Sequence, residues 1–416
     1  MALSASLLIL LTGTATFSGC GRLYSKGIKS KNVVNLMANV SKSGAQSKSP
    51  DERFTAASAS FALELFKNEY KNGQNTLVSP LSVLSVLAMT QNGAEGETLS
   101  ELEATLGGID RDTLNAYIKA YCALISEGNE VNSANSLWLN SGVVANPDFL
   151  KKVADYYSAD AFSAPFSDKG TYESVNGWVK KNTDGMIDKL LNGPADIAQM
   201  TMLLINAIAF NAKWEEPYTK DDISDGDFTA YSFARQKAEY MHSTEKIYLE
   251  SENATGFVKP YKNGRFAFAA LLPKEGVGID DFVGSLNGEE FMSILSTAST
   301  FSEVSVTIPK FKSEYSTMLI KTLEKMGVKA AFDPLKADFS SLLENSDKPL
   351  YIDTVIHKTF IEVDEHGTKA AAATLVGVKE MAMREEHTVF LNRPFVYAII
   401  DTETNLPLFI GVQTQV

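Results

Sequence analysis

Glu362-Val-Asp-Glu-His-Gly-Thr-Lys-Ala-Ala-Ala-Ala-Thr374 decides how the rest of this chain is read. It sets four consecutive alanines, Ala370 to Ala373, close to the C-terminus of a 416-residue sequence. Alanine is the strongest helix former and Thr368 has a capping side chain, so local propensity predicts one to two helical turns here. The flanking sequence argues for something else. Leu375-Val-Gly-Val-Lys-Glu-Met-Ala-Met-Arg384 carries no helical stripe and no charge before Lys379, and Thr388-Val-Phe-Leu391 beyond it is strand-like. Small side chains leading into an exposed extended segment suit a loop that later slides into a sheet. Charged or bulky inward-facing groups would cost several kcal/mol each to bury unpaired.

Composition sets the outer bounds. At 44% hydrophobic residues the chain can build a large core, either one big domain or two average ones. No break in composition falls between residues 53 and 416, no internal repeat is visible, and no apolar run reaches the roughly 18 residues of a membrane span. A net charge of −13 argues against a polyanion partner such as nucleic acid, since phosphate contacts need clustered Lys and Arg. There is no Gly-x-Ser-x-Gly elbow, phosphate loop, His-Glu-x-x-His or Cys-x-x-Cys. The four histidines, His242, His357, His366 and His387, include no pair at metal-ligand spacing, so neither catalytic residues nor a metal or cofactor is expected.

Period and punctuation give a mixed secondary structure. Pro80 to Thr90 reads as a helix capped by Ser79, and Ser313 to Met326 as a second, with Tyr315, Met318, Leu319, Leu323 and Met326 near helical spacing. Phe266–Leu272, Val304–Ile308, Phe360–Val363 and Phe395–Ile400 read as strands, which places the chain in the α+β class.

Several stretches, taken in order, resemble the serpin family. The alanine run with Gly367 resembles the hinge of a serpin reactive-centre loop. Asn75-Thr-Leu-Val-Ser-Pro-Leu-Ser82 resembles the entry to that family's buried helix, and Asn92-Gly-Ala-Glu-Gly-Glu-Thr98 the segment after that helix. Leu204-Ile-Asn-Ala-Ile-Ala-Phe210 with Trp214, Val306–Phe311, Met326-Gly-Val328, Ala337–Ser340 and Asn392-Arg-Pro-Phe395 continue the pattern. The resemblance spans residues 53–416 and implies one serpin domain: a large mixed or antiparallel sheet, smaller sheets, about eight or nine helices and an exposed reactive-centre loop at about 365–390.

That resemblance implies a suicide-substrate inhibitor of serine, and by extension cysteine, endopeptidases; the alternative is a non-inhibitory serpin acting as a binding or carrier protein. Counting Gly367 as first, the fifteenth residue is Met381, so the attacked bond is expected at Met381-Ala382, with Val378, Lys379, Met383 and Arg384 as secondary candidates. Unbranched Met suits elastase-, chymotrypsin- or subtilisin-like peptidases, and Lys379 would draw trypsin-like ones. The hinge comprises Glu365, Gly367, Thr368, Ala370, Ala371, Ala372, Ala373 and Thr374, with Thr368, Ala370, Ala372 and Thr374 facing inward and Lys369 outward. Ser79, Pro80, Ser82, Asn206 and His357 match a polar cluster beneath the sheet, while Trp214, Lys310 and Glu365 match the place where the loop first inserts. Acidic Leu99–Leu106 argues against heparin-type activation. A monomer is expected.

The first fifty residues follow other rules. Ala2 to Phe17 are mostly small and apolar and lead through Ser18 and Gly19 to Cys20. This is similar to a bacterial lipoprotein signal, here without a basic residue at its start: residues 1–19 would be removed and Cys20 acylated. Residues 20–52 would be a mostly flexible tether, and the protein an exported envelope lipoprotein on the outer-membrane, periplasmic or surface face, or else secreted. Cys122 would then be the remaining thiol, in the apolar stretch Tyr121–Ile125, where a buried structural role is expected.

Overall fold

The computed structural model describes residues 28, 30–42, 44–128, 130–298, 302–344, 350–352, 354–368 and 385–416. Along the chain come β1 (Val34–Asn35), α1 (Glu52–Glu69), β2 (Thr76–Val78), α2 (Pro80–Thr90), α3 (Gly96–Thr105), α4 (Arg111–Ile125), β3 (Val131–Asn140) and α5 (Pro147–Tyr157). Next are β4 (Asp160–Ala164), α6 (Lys169–Asn182), β5 (Met202–Phe210), β6 (Ala212–Lys213), β7 (Ile223–Thr229), β8 (Arg235–Glu245), β9 (Ile247–Glu250), β10 (Ala254–Pro260) and β11 (Phe266–Pro273). Then come α7 (Ile279–Ser285), α8 (Gly288–Ser296), β12 (Ser302–Pro309), β13 (Phe311–Met318), α9 (Ile320–Met326), β14 (Ile356–Asp364), β15 (Gly367–Thr368), β16 (Glu385–Phe390), β17 (Phe395–Asp401) and β18 (Pro407–Gln413). This is the expected α+β architecture.

A six-stranded sheet ordered β2-β18-β17-β11-β10-β9 forms the middle of the molecule. Every residue of β11, β17 and β18 is buried, which is why these strands read as unbroken apolar runs rather than alternating ones. A second sheet runs β16-β12-β8-β7, with β16 parallel to β12. Two further four-stranded sheets, β1-β4-β3-β5 and β13-β14-β15-β6, meet along a seam, because β5 passes through Asn211 directly into β6. Among the described residues β5 and β14 are not strand-paired with each other. Helix α6 covers β3 and β4, packing Val175, Trp178 and Val179 with Trp138 and Phe162, whose rings lie 4.4 Å apart.

Two local expectations are corrected. The stretch Ser313–Met326 is not one helix: β13 continues to Met318 and only Ile320–Met326 is helical. Exposure along Phe311–Ser316 alternates with the two-residue period of a strand, and Ser313 is buried where a surface helix would turn it outward. Ser79 precedes α2 as the cap position requires, yet its hydroxyl donates to the Leu408 carbonyl (2.8 Å) rather than capping the helix.

Of the segment expected to be a mostly flexible tether, the described residues from 28 to 52 are part of the fold. Val34 and Asn35 add a strand to the free edge of β4, Ile28 and Val33 pack under α6, and Leu36, Met37 and Val40 pack on the main core. Farther on, the Lys48 amide donates to the Ala116 carbonyl, and Lys119 donates to that of Ala45. An edge strand leaves a row of backbone groups to be paired, and this strap pairs some of them. Cys122 is half-buried on α4, and enclosure of its thiol pushes its pKa up to about 12. Cys20 lies outside the described residues.

Candidate functional site

The site is the top of the seam, where β14 turns back into β15. Asp364 ends β14, and its carboxylate accepts from the backbone amides of His366 (2.8 Å) and Gly367 (3.2 Å), closing a tight turn. Gly367 has φ +148°, and a β-carbon there would stand 2.2 Å from the Ala212 carbonyl oxygen, so glycine alone fits. Gly367 and Thr368 then pair with Asp364 and Val363 on one side and with Lys213 and Ala212 on the other. Two hinge residues, Gly367 and Thr368, already stand as a strand between the two halves of the seam.

Aromatic residues form the floor beneath this turn. Trp214 donates from its amide to the His366 carbonyl (3.1 Å) and from its indole to the Asp364 carbonyl (2.8 Å). The Tyr218 amide donates to the Glu365 carbonyl (3.0 Å). Tyr261 stacks on Trp214 at 4.6 Å and 8°, and its hydroxyl shares a 2.7 Å hydrogen bond with that of Thr368, which is buried. The expected ion pair is present, Lys310 to Glu365 at 2.8 Å, and Glu239 stands 3.7 Å from the same ammonium. Hydrogen bonding from Lys310 holds the Glu365 carboxyl below its usual range against the pull of partial burial.

Farther down the seam, His357 of β14 accepts from the Ser79 amide at 3.1 Å through Nε2, and burial lowers its pKa to about 4. Thr359, two residues on, donates to the Leu77 carbonyl (2.8 Å). Pro80 and Ser82 are buried in the first turn of α2. Asn206 departs from the expected grouping in its hydrogen bonds. Its amide donates to Asn135 on β3 (2.8 Å), and its buried Oδ1 has no hydrogen-bond partner among the described residues.

The remaining hinge residues, Ala370 to Thr374, lie outside the described residues, as do Val378, Lys379, Met381, Ala382, Met383 and Arg384. Sequence reading overlooked Lys259 and Glu245, a buried ion pair of 2.7 Å behind the aromatic floor. The signal was a lysine inside the otherwise apolar run Phe257-Val-Lys-Pro-Tyr261. Among the described residues no His, Cys, Asp and Glu cluster could hold a metal. Ser224 and His242 approach to 2.7 Å, but the other ring nitrogen faces Thr307, which takes the place a triad gives to an orienting carboxylate.

Comparison with known proteins agrees with this geometry. The family model for serpins, described as serine protease inhibitors, matches residues 56–415. Leukocyte elastase inhibitor A of Mus musculus is 30% identical over 378 residues, covering 86% of this chain and 98% of that protein. An uncharacterized serpin-like protein of Thermococcus kodakarensis is 31% identical over 364 residues, covering 85% of this chain and 83% of its own. The crystal structure of the thermophilic serpin tengpin in its native state superposes with a TM-score of 0.87 at 43% identity, covering 92% of this chain and all of that one. Its latent state gives 0.80 at 42% identity, over 89% of this chain and all of that one. The turn, the seam and these likenesses converge: the chain belongs to the serpin family, whose members act as protease inhibitors rather than as catalysts.

Proposed function

We propose that this serpin is a suicide-substrate inhibitor of serine endopeptidases, trapping the acyl-enzyme as its hinge inserts along the seam. The observation that carries the reading is Thr368, already buried between β14 and β6 with Gly367 as the pivot. A peptidase attacks the loop at Met381-Ala382 and is joined through an ester to the Met381 carbonyl. Release of the loop's far end lets the small residues beyond Thr368 add to the seam, and strain stored in the uncleaved fold drives the step. Insertion of about 14 residues at roughly 3.3 Å each carries the bound peptidase on the order of 45 Å. Trapping succeeds when this outruns hydrolysis of the ester.

Elastase-, chymotrypsin- or subtilisin-like peptidases are the favoured targets, because Met381 is apolar and unbranched; the leukocyte elastase inhibitor among the relatives supports an elastase-like enzyme. Lys379 makes trypsin-like enzymes secondary. The acidic α3 supports independence from heparin. We further propose attachment through lipidated Cys20 to an envelope membrane, and a monomeric state. Titrating each of the four peptidase types with the protein tests the inhibitory reading. A stable loss of activity near one equivalent is expected, whereas loop cleavage with full activity retained would turn the reading to a carrier.

A further inference from the structure

Lys259 and Glu245 belong to different sheets, on β10 and at the end of β8, and meet behind the aromatic floor. Lys259 Nζ lies 2.7 Å from Glu245 Oε1, and the two side chains are only 2% and 9% exposed. The same ammonium stands over the rings of Tyr218 (4.6 Å) and Trp214 (5.5 Å), placing it in cation–π range of both. The same Glu245 oxygen also accepts from Ser243 Oγ (2.7 Å), and that hydroxyl lies 3.2 Å from the Tyr218 hydroxyl. Both residues reach the hinge turn in one further step: the Trp214 indole donates to the Asp364 carbonyl, and the main-chain amides of Trp214 and Tyr218 donate to the carbonyls of His366 and Glu365.

A buried pair of this kind is weak evidence for stability, since desolvating two charges offsets most of their attraction. Its placement points to another use. We infer that Lys259, locked by Glu245, is a positioning residue for hinge insertion: it holds Trp214 and Tyr218 level, so that the turn at 364–367 presents Thr368 to the β6 edge. The reaction it serves is the inhibitory one proposed above. Without the cation the floor loses its anchor, the turn loosens, and the first residues of the hinge find β6 less often.

The double variant Lys259→Met with Glu245→Gln tests this. It removes both charges and keeps an acceptor for Ser243, whereas Lys259→Met alone would bury an unpaired carboxylate and unfold the site for a trivial reason. Two readouts are compared with the parent chain at equal thermal midpoint. Hydrogen exchange at the Gly367 and Thr368 amides is expected to quicken at least tenfold. With a susceptible peptidase, loop cleavage is expected to keep its rate within twofold while the equivalents needed for full inhibition rise at least threefold. Unchanged exchange and unchanged equivalents would overturn the inference. Should the parent chain trap no peptidase, the inhibitory reading falls, and the exchange comparison still decides whether the pair holds the turn. A double variant whose thermal midpoint falls with exchange quickened across the whole seam would mark a general structural role and overturn it as well.

Discussion

Thr368 and Tyr261 share a 2.7 Å hydrogen bond between hydroxyls across the top of the seam, the threonine being 1% exposed. The first inward-facing hinge residue has therefore already left water. A long cation in its place would have to be buried without a partner or keep the hinge out. Thr368→Arg is expected to leave the loop cleavable at the parent rate while covalent trapping falls at least tenfold, read from complex and cleaved bands on a denaturing gel. Equal trapping by the variant would mean insertion begins elsewhere.

The ion pair of Lys310 with Glu365 is partly exposed, at 20% and 29% of the two side chains, so water screens most of its attraction. A double-mutant cycle with Lys310→Met and Glu365→Gln, measured by urea unfolding, is expected to give a coupling below about 1 kcal/mol. Its effect belongs to the hinge more than to global stability. A coupling of about 3 kcal/mol would mark it instead as a desolvated pair whose loss leaves a buried charge.

His357 is buried and neutral, with its pKa lowered to about 4 from an ordinary 6.5. Between those values the unfolded chain binds the proton and the folded chain does not, so stability from this residue is full above 6.5 and falls as pH drops toward 4. At about 1.4 kcal/mol per pH unit the loss is roughly 3 kcal/mol. Urea midpoints at pH 7.5 and 4.5 are expected to differ less in a His357→Gln chain than in the parent by an amount of that order. Parallel pH dependence in the two chains would show that His357 accepts the proton readily in the fold.

The described residues between 28 and 50 bridge two core clusters as a strap on β4 and α4. Five partly buried apolar side chains and the β1 pairing, set against the entropy of ordering the segment, leave a net contribution on the order of 2 kcal/mol. A chain starting at residue 51 is expected to unfold at lower urea than one starting at residue 28. Coincident unfolding curves would show the strap to be dispensable.

Much of this was legible in the sequence, for a local reason. Asn75–Ser82, Leu204–Trp214, Val306–Phe311 and Asn392–Phe395 carry turns and buried runs, and they fall on β2 with the start of α2, on β5 and β6, on the junction of β12 and β13, and at the start of β17. Gly367 was readable because no other residue fits its backbone. The helix read into Ser313–Met318 failed because Tyr315 and Met318 happen to sit at helical spacing, while pairing with β14 imposed the strand. Lys259 and Glu245 stayed hidden for a different reason: they are 14 residues apart on different sheets, and only the folded chain brings them together. The strap was masked by its Ser, Lys and Gly content, which concealed the few apolar side chains that dock it.

The most direct test of the central claim mixes the chain starting at residue 28 with pancreatic elastase and follows the products on a denaturing gel, with the released peptide weighed by mass spectrometry. The expected result is a covalent complex resistant to detergent, accompanied by a C-terminal fragment beginning at Ala382. A chain cut in the loop with no covalent complex and the peptidase fully active would contradict trapping by insertion.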